Sequence, residues 1–257
     1  MKLSLVCFAA AILVTESAQA GDILDFPIPD SPIVIPARSE SGGASIADLI
    51  ALYSEATGQH CVMDSATQGY ANSTPVSSQA GGSMSIAPER VQVTFETLLV
   101  ANDFVLTPLT ADEPRLFSIT SLNTGRRNTV RLLGIFLPAD RVDDAAAHPA
   151  ILFTTAIDLP GIDVRNLASS IRHMFPDQNI SQLLAVGSTS SVAMWGFGPM
   201  VKRTRDLLMT VKATNDAEDK VLRSQREADE PKRRAPSPNA VQVRGNGGLQ
   251  AVRIAGA

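Results

Sequence analysis

The residues that could do chemistry are few and scattered. Three histidines, His60, His148 and His173, occur in 257 residues, each on a separate stretch. A metal site built locally needs ligands at helical or turn spacing, and neither His-x-x-x-His nor His-Glu-x-x-His occurs. Cys61 follows His60 directly, but a nucleophilic thiol needs a base aimed at it, and nothing local supplies one. It reads as a buried thiol on a strand. Cys7 lies in an apolar N-terminal run, so Cys61 has no intramolecular partner in the mature chain. The run Ser188-Thr189-Ser190-Ser191 lacks the Gly-x-Ser-x-Gly elbow. No Gly-x-Gly-x-x-Gly follows a strand and opens a helix. The expectation is a protein with no catalytic residues, no metal and no cofactor. It is not an enzyme.

Charge narrows the partners. The net charge of −4 gives no whole-chain reason to expect nucleic acid. Lys202-Arg203-Arg205 reads as the solvated face of a helix. Lys232-Arg233-Arg234 shares its tail with Asp229 and Glu230. The side chains left as candidates are aromatic: Trp195 and Phe197, in a chain with only 5% aromatic residues. They are either anchors for a partner protein, as aromatic residues often are, or the cap of a local core.

Residues 150–212 must position them. Ile151, Phe153 and Thr155 alternate with Leu152, Thr154 and Ala156, which predicts a strand. Val164, Leu167, Ala168 and Ile171 form a helical stripe. Residues 183–186 and 192–195 are two short apolar runs divided by a Gly-Ser-Thr-Ser turn, which suits a hairpin. Gly196-Phe197-Gly198-Pro199 is read as the end of the sheet. Pro199 suits a first helical turn, and Val201, Thr204, Leu208 and Val211 continue as the buried side of a closing helix.

An earlier unit repeats the theme over residues 33–120. Ile33-Val34-Ile35 lies between prolines and can only be an edge strand. Ser45 caps a helix with Asp48 three residues on. Ile46, Leu49, Ile50 and Tyr53 form its apolar face, and Gly58 supplies the left-handed stop. Residues 60–63 form a strand, residues 68–82 a polar loop, and residues 84–86 another strand. A second helix opens at Pro88, carries Val91, Phe95, Leu98 and Leu99 on one side, and ends at Asn102-Asp103. Residues 104–109 and 116–120 then form a hairpin. The fold class is α+β: two small modules of short mixed sheets, each covered by two helices.

The remaining segments read as follows. Residues 1–20 form an export signal: Lys2, an apolar core, then Ala18-Gln19-Ala20 with cleavage between Ala20 and Gly21. The mature chain is thus expected to be exported, to the periplasm if the source is bacterial and to the outside otherwise. Residues 21–32 form a flexible N-terminal segment and 121–149 a linker, within which residues 130–137 are apolar enough to form a strand or to lie between the modules. Residues 213–257 form a polar, largely disordered tail. Its first part is able to prolong the last helix, and Leu249, Val252 and Ile254 are able to dock on a partner. No apolar run after the first fourteen residues spans a bilayer.

Two units in this order behind an export signal resemble the periplasmic N-terminal modules of bacterial secretins. These are the outer-membrane channels of type II secretion and type IV pili. The first unit is similar to their N0 module through residues 49–63, where an amphipathic helix ends at Thr57-Gly58 before a strand. Residues 96–106 add a later helix that ends at a short polar turn. The second unit is similar to the repeated N1 module, a KH-like fold, through residues 157–171 and the strand, glycine, proline and helix of residues 192–208. Three departures stand out. Ser190 and Ser191 occupy the hairpin position where the family has Asn. The loop over 64–83 is long. No barrel domain follows.

The resemblance implies a protein–protein interaction and assembly module. Its partners would be secretion-system or pilus proteins, including a secretin barrel encoded separately, and further copies of itself in a ring. Two other classes are a KH-like nucleic-acid binder and a cell-wall-binding module. The first lacks the Gly-x-x-Gly clamp between helices. The second lacks an aromatic platform or paired carboxylates.

Overall fold

The computed structural model describes residues 23–36, 44–76, 83–110, 115–125, 127–175 and 177–234, the last seven as backbone only. The predicted signal with its Ala20–Gly21 cleavage site, and Leu249, Val252 and Ile254, lie outside the described residues. The described chain divides after Lys212 into two units.

The larger unit is α+β. Strand β1 (Ile33–Ile35) leads to helix α1 (Ile46–Thr57), β2 (His60–Val62), α2 (Ser65–Ser73) and β3 (Met84–Ile86). A 3₁₀ turn at Pro88–Arg90 opens α3 (Val91–Ala101), followed by β4 (Phe104–Pro108) and β5 (Leu116–Ser121). Then come β6 (Ile135–Phe136), α4 (Val142–Ala145), β7 (Leu152–Asp158), α5 (Val164–Ile171), β8 (Gln182–Ala185), β9 (Ser191–Phe197) and α6 (Gly198–Arg234). Three sheets result: β1 with β3, then β2-β5-β4, then β6-β7-β9-β8. The second and third are mixed, because β2 runs parallel to β5 and β6 parallel to β7.

Local chemistry sets the first helix as expected. The Ser45 hydroxyl accepts from the Asp48 N–H, the Asp48 carboxylate accepts from the Ser45 N–H, and Gly58 ends the helix at φ 70°. Tyr53 from its buried face stacks on Phe95 of α3 at 3.9 Å between ring centroids.

Three segments differ from their sequence-based readings. The polar loop contains α2. Asp64 caps it, and its buried residues are Thr67 and Ala71, both too small to leave an apolar stripe. The flexible segment before β1 is partly tied down, because Phe26 stacks on Phe117 and lies 5.0 Å from the His148 ring. The linker over 121–149 is folded: β6 extends the third sheet, and Val130, Leu137, Val142 and Ala145 are buried. The first part of the tail prolongs the last helix, as its sequence allowed, and the helix runs to Arg234. A helix already nucleated extends at little cost through good helix formers such as Ala217, Glu218, Lys220, Leu222 and Arg226.

Candidate interaction surface

The third sheet positions the aromatic candidates. Opposed residues of paired strands share a face. Trp195 is opposite Thr154 on one side and Gln182 on the other, and Phe136 of β6 pairs with Thr154. These four residues form one row. Ala156, Ala193 and Leu184 form the next row on the same face. The opposite face carries Phe153, Thr155, Ile157, Leu183, Val192 and Met194, all buried. Most of them join Val164 and Ala168 of α5 and Val201 and Leu208 of α6 in one apolar cluster.

The first face is only half covered. At one end Leu152 packs with Val105, Leu122, Val130 and Ile180, and Phe197 leans against that cluster. At the other end Trp195, Phe136 and Ala193 are half-exposed and Leu184 is 44% exposed. Trp195 Nε1 is shut off from water and finds no hydrogen-bond acceptor among the described residues, a costly state for an N–H. Phe197 therefore belongs to a covered patch, while Trp195 stands at the margin of an open one.

The sheet does not end before Phe197, because β9 runs through it. Gly196 turns to the buried face, where a Cβ would come within 2.8 Å of Ser181 Oγ. The chain leaves the sheet at Gly198, where a Cβ would overlap the Ala145 carbonyl oxygen.

The histidines do not converge. His60 and His173 are exposed. His148 is buried and its Nδ1 lies 3.0 Å from Glu96 Oε1. Among the described residues no group of three His, Cys, Asp or Glu could hold a metal ion. Cys61 sits half-buried on β2, and burial pushes its thiol up, opposed by a hydrogen bond with Ser54. Of the basic cluster, Lys202 binds Asp206 at 2.6 Å, and Arg205 binds Asp143 at 2.7 Å.

Glu96 is the residue that sequence reading missed. It is fully buried on α3. Its Oε1 also accepts from Gln92 Nε2 at 2.5 Å, and its Oε2 accepts from the Ala150 N–H at 3.0 Å. It thus ties the first half of this unit to the start of β7. The network continues through Gln92 to the Tyr53 hydroxyl, which also lies 2.6 Å from Gln59 Oε1. One hydroxyl proton serves one acceptor. Turning the Gln59 amide lets its otherwise unpartnered Nε2 donate to Tyr53 and frees that proton for Gln92. The available signal was a lone carboxylate beside Phe95 on an otherwise apolar helix.

No known protein family and no curated protein matches the chain. Solved structures similar to it include two from type II secretion and one of a secretin N-terminal domain. One is the outer-membrane complex of Klebsiella pneumoniae, containing PulD, PulS and the PulC HR domain (14% identity, TM-score 0.47, covering 66% of this chain and 26% of that one). Another is the GspC–GspD complex of enterotoxigenic Escherichia coli (12%, TM-score 0.26, covering 71% and 99%). A third is a dimeric mutant of the N-terminal domain of the secretin XcpQ from Pseudomonas aeruginosa (15%, TM-score 0.23, covering 71% and 64%). The chain thus spans about a quarter of the first of these. The similarity is a low-identity structural resemblance to secretin N-terminal domains.

Proposed function

We propose that this chain is a periplasmic protein–protein interaction and assembly module of a type II secretion or type IV pilus-like system. In this reading it is a non-enzymatic relative of secretin N-terminal domains, with modules at 33–120 and 150–212. Export through residues 1–20 puts it in the periplasm. Its partners are secretion-system or pilus proteins, a secretin barrel among them, and ring assembly is one mode of use.

The observation that carries the reading is the half-covered third sheet, with Trp195 at the edge of its open patch. Trp195 offers a large, rigid, part-exposed aromatic surface there, the kind of side chain that anchors a protein interface. Phe197, further along the same face, holds that end of the sheet in place.

Affinity capture from native periplasm with the tagged mature chain tests this. Secretion or pilus components are the expected catch. Trp195→Ala should reduce that catch at least tenfold while leaving the melting temperature nearly unchanged. A catch free of secretion components, or a Trp195→Ala variant that unfolds in proportion to its loss of capture, would defeat the reading.

A further inference from the structure

The outer edge of β8 is open. The Val186 N–H donates to the Ser191 carbonyl at 2.9 Å. That makes Val186 and Ser191 a hydrogen-bonded pair of the antiparallel ladder, so Leu184–Ala193 and Gln182–Trp195 are the next such pairs. Leu183 and Ala185 therefore aim their N–H and C=O groups away from β9. β8 is the last strand of its sheet, and no described backbone group bonds it on that side.

Edges of this kind are normally guarded by lysine, proline or a bulge. Residues 182–186 read Gln-Leu-Leu-Ala-Val and contain no charge and no proline. Leu184 and Val186 are 44% and 42% exposed. The opposite edge of the sheet, β6, offers only two residues, too few to receive a five-residue strand head to tail. A second β8 fits. Run antiparallel about Leu184, it sets Leu183 opposite Ala185 of the other copy, which makes four hydrogen bonds from the groups that point outward. Leu184 meets Leu184 and Gln182 meets Val186 on the open face, and large Leu183 meets small Ala185 on the buried face. The uncharged strand brings no like charges together, which is the usual penalty of self-pairing.

We infer that β8 pairs with β8 of a second copy, antiparallel about a two-fold axis at Leu184, joining two sheets into one of eight strands. A strand pair alone buries less than the roughly 1,200 Å² of a standard interface, so the association is weak and shows at high protein concentration. The inference stands apart from the proposed function: a chain that stays monomeric yet captures secretion proteins would overturn only this one.

Cysteine cross-linking of the mature chain in a Cys61→Ser background tests the register. Leu184→Cys places two thiols across the axis at about 5 Å between Cβ atoms, close enough for a disulfide after a small shift. It should form a covalent dimer under mild oxidation. Gln182→Cys should do so only when mixed with Val186→Cys. Ala185→Pro removes an outward N–H that its own sheet does not use, and should weaken dimerisation in analytical ultracentrifugation at least tenfold. If that variant misfolds, Leu184→Lys at an exposed position should give the same loss through facing charges. Equal cross-linking at Gln182 and Leu184, undiminished dimers in both edge variants, or a monomer at several hundred micromolar would overturn the pairing.

Discussion

Strands β4 and β8 both end their sheets, yet only one of them has a finished edge. β4 is buried at four consecutive residues, Phe104 to Thr107. Its outer side is met by the start of β7, with a parallel bridge from Leu106 to Ile151 and a 2.9 Å bond from the Leu106 N–H to the Ala150 carbonyl. β8 has no such cover, and the strand beside it, β9, alternates half-exposed with buried residues along its whole length. The edge at β4 is closed by the rest of the chain, while the third sheet keeps a face and an edge for something else. The contrast separates stability from recognition: core variants should act at the first edge, and surface variants at the second.

The largest effect should come from loosening the closed edge. Glu96→Ala leaves the Ala150 N–H, Gln92 and His148 without their shared acceptor. It should cost about 1–3 kcal/mol of unfolding free energy in urea titration, the penalty of leaving buried polar groups unsatisfied. Glu96→Gln should cost less, because an amide oxygen still accepts. An alanine variant as stable as the parent would mean that the two halves of this unit hold together without the network.

A smaller change of opposite sign is expected within the third sheet. Thr155 is fully buried on the covered face, and among the described residues its Oγ1 has no hydrogen-bond partner. Thr155→Val keeps the shape and removes the unsatisfied hydroxyl, so it should stabilise by about 1 kcal/mol. Destabilisation would show that the hydroxyl has a partner after all.

The smallest effect concerns acid. Hydrogen bonds from Lys202 hold the Asp206 carboxyl below its ordinary value, and those from Arg205 do the same for Asp143. Both groups therefore release their protons more readily in the folded chain than in the unfolded one. Their contribution is complete above about pH 4 and is lost as the pH falls further and the folded carboxylates protonate. An Asp143→Asn, Asp206→Asn double variant should show a shallower decline in melting temperature between pH 5 and 3. The difference is slight because the pairs are solvated.

Much of the fold was legible because it obeys local rules. Ser45, Asp48 and Gly58 act on backbone groups within four residues of themselves, so their spacing carries the whole message. The stripes of α1, α3 and α5 and the hairpin of β8 and β9 follow from periodicity in the same way. Helix α2 was missed because its buried side chains, Thr67 and Ala71, are small and carry no hydrophobic signal. The Trp195 alternatives were visible in the sequence. The split between Trp195 at an open margin and Phe197 under a covering cluster was not, since both lie on one face of one strand.

The sequence by itself determined where each cap, stop and apolar stripe falls, because those depend on neighbours along the chain. Only the tertiary structure decided that residues 121–149 would fill a core rather than link two beads. It alone brought Glu96 to His148 and Ala150, and left β8 bare while β4 was closed. Each of these depends on which distant surfaces meet, and a polar residue or strand edge has the same sequence whether something reaches it or not.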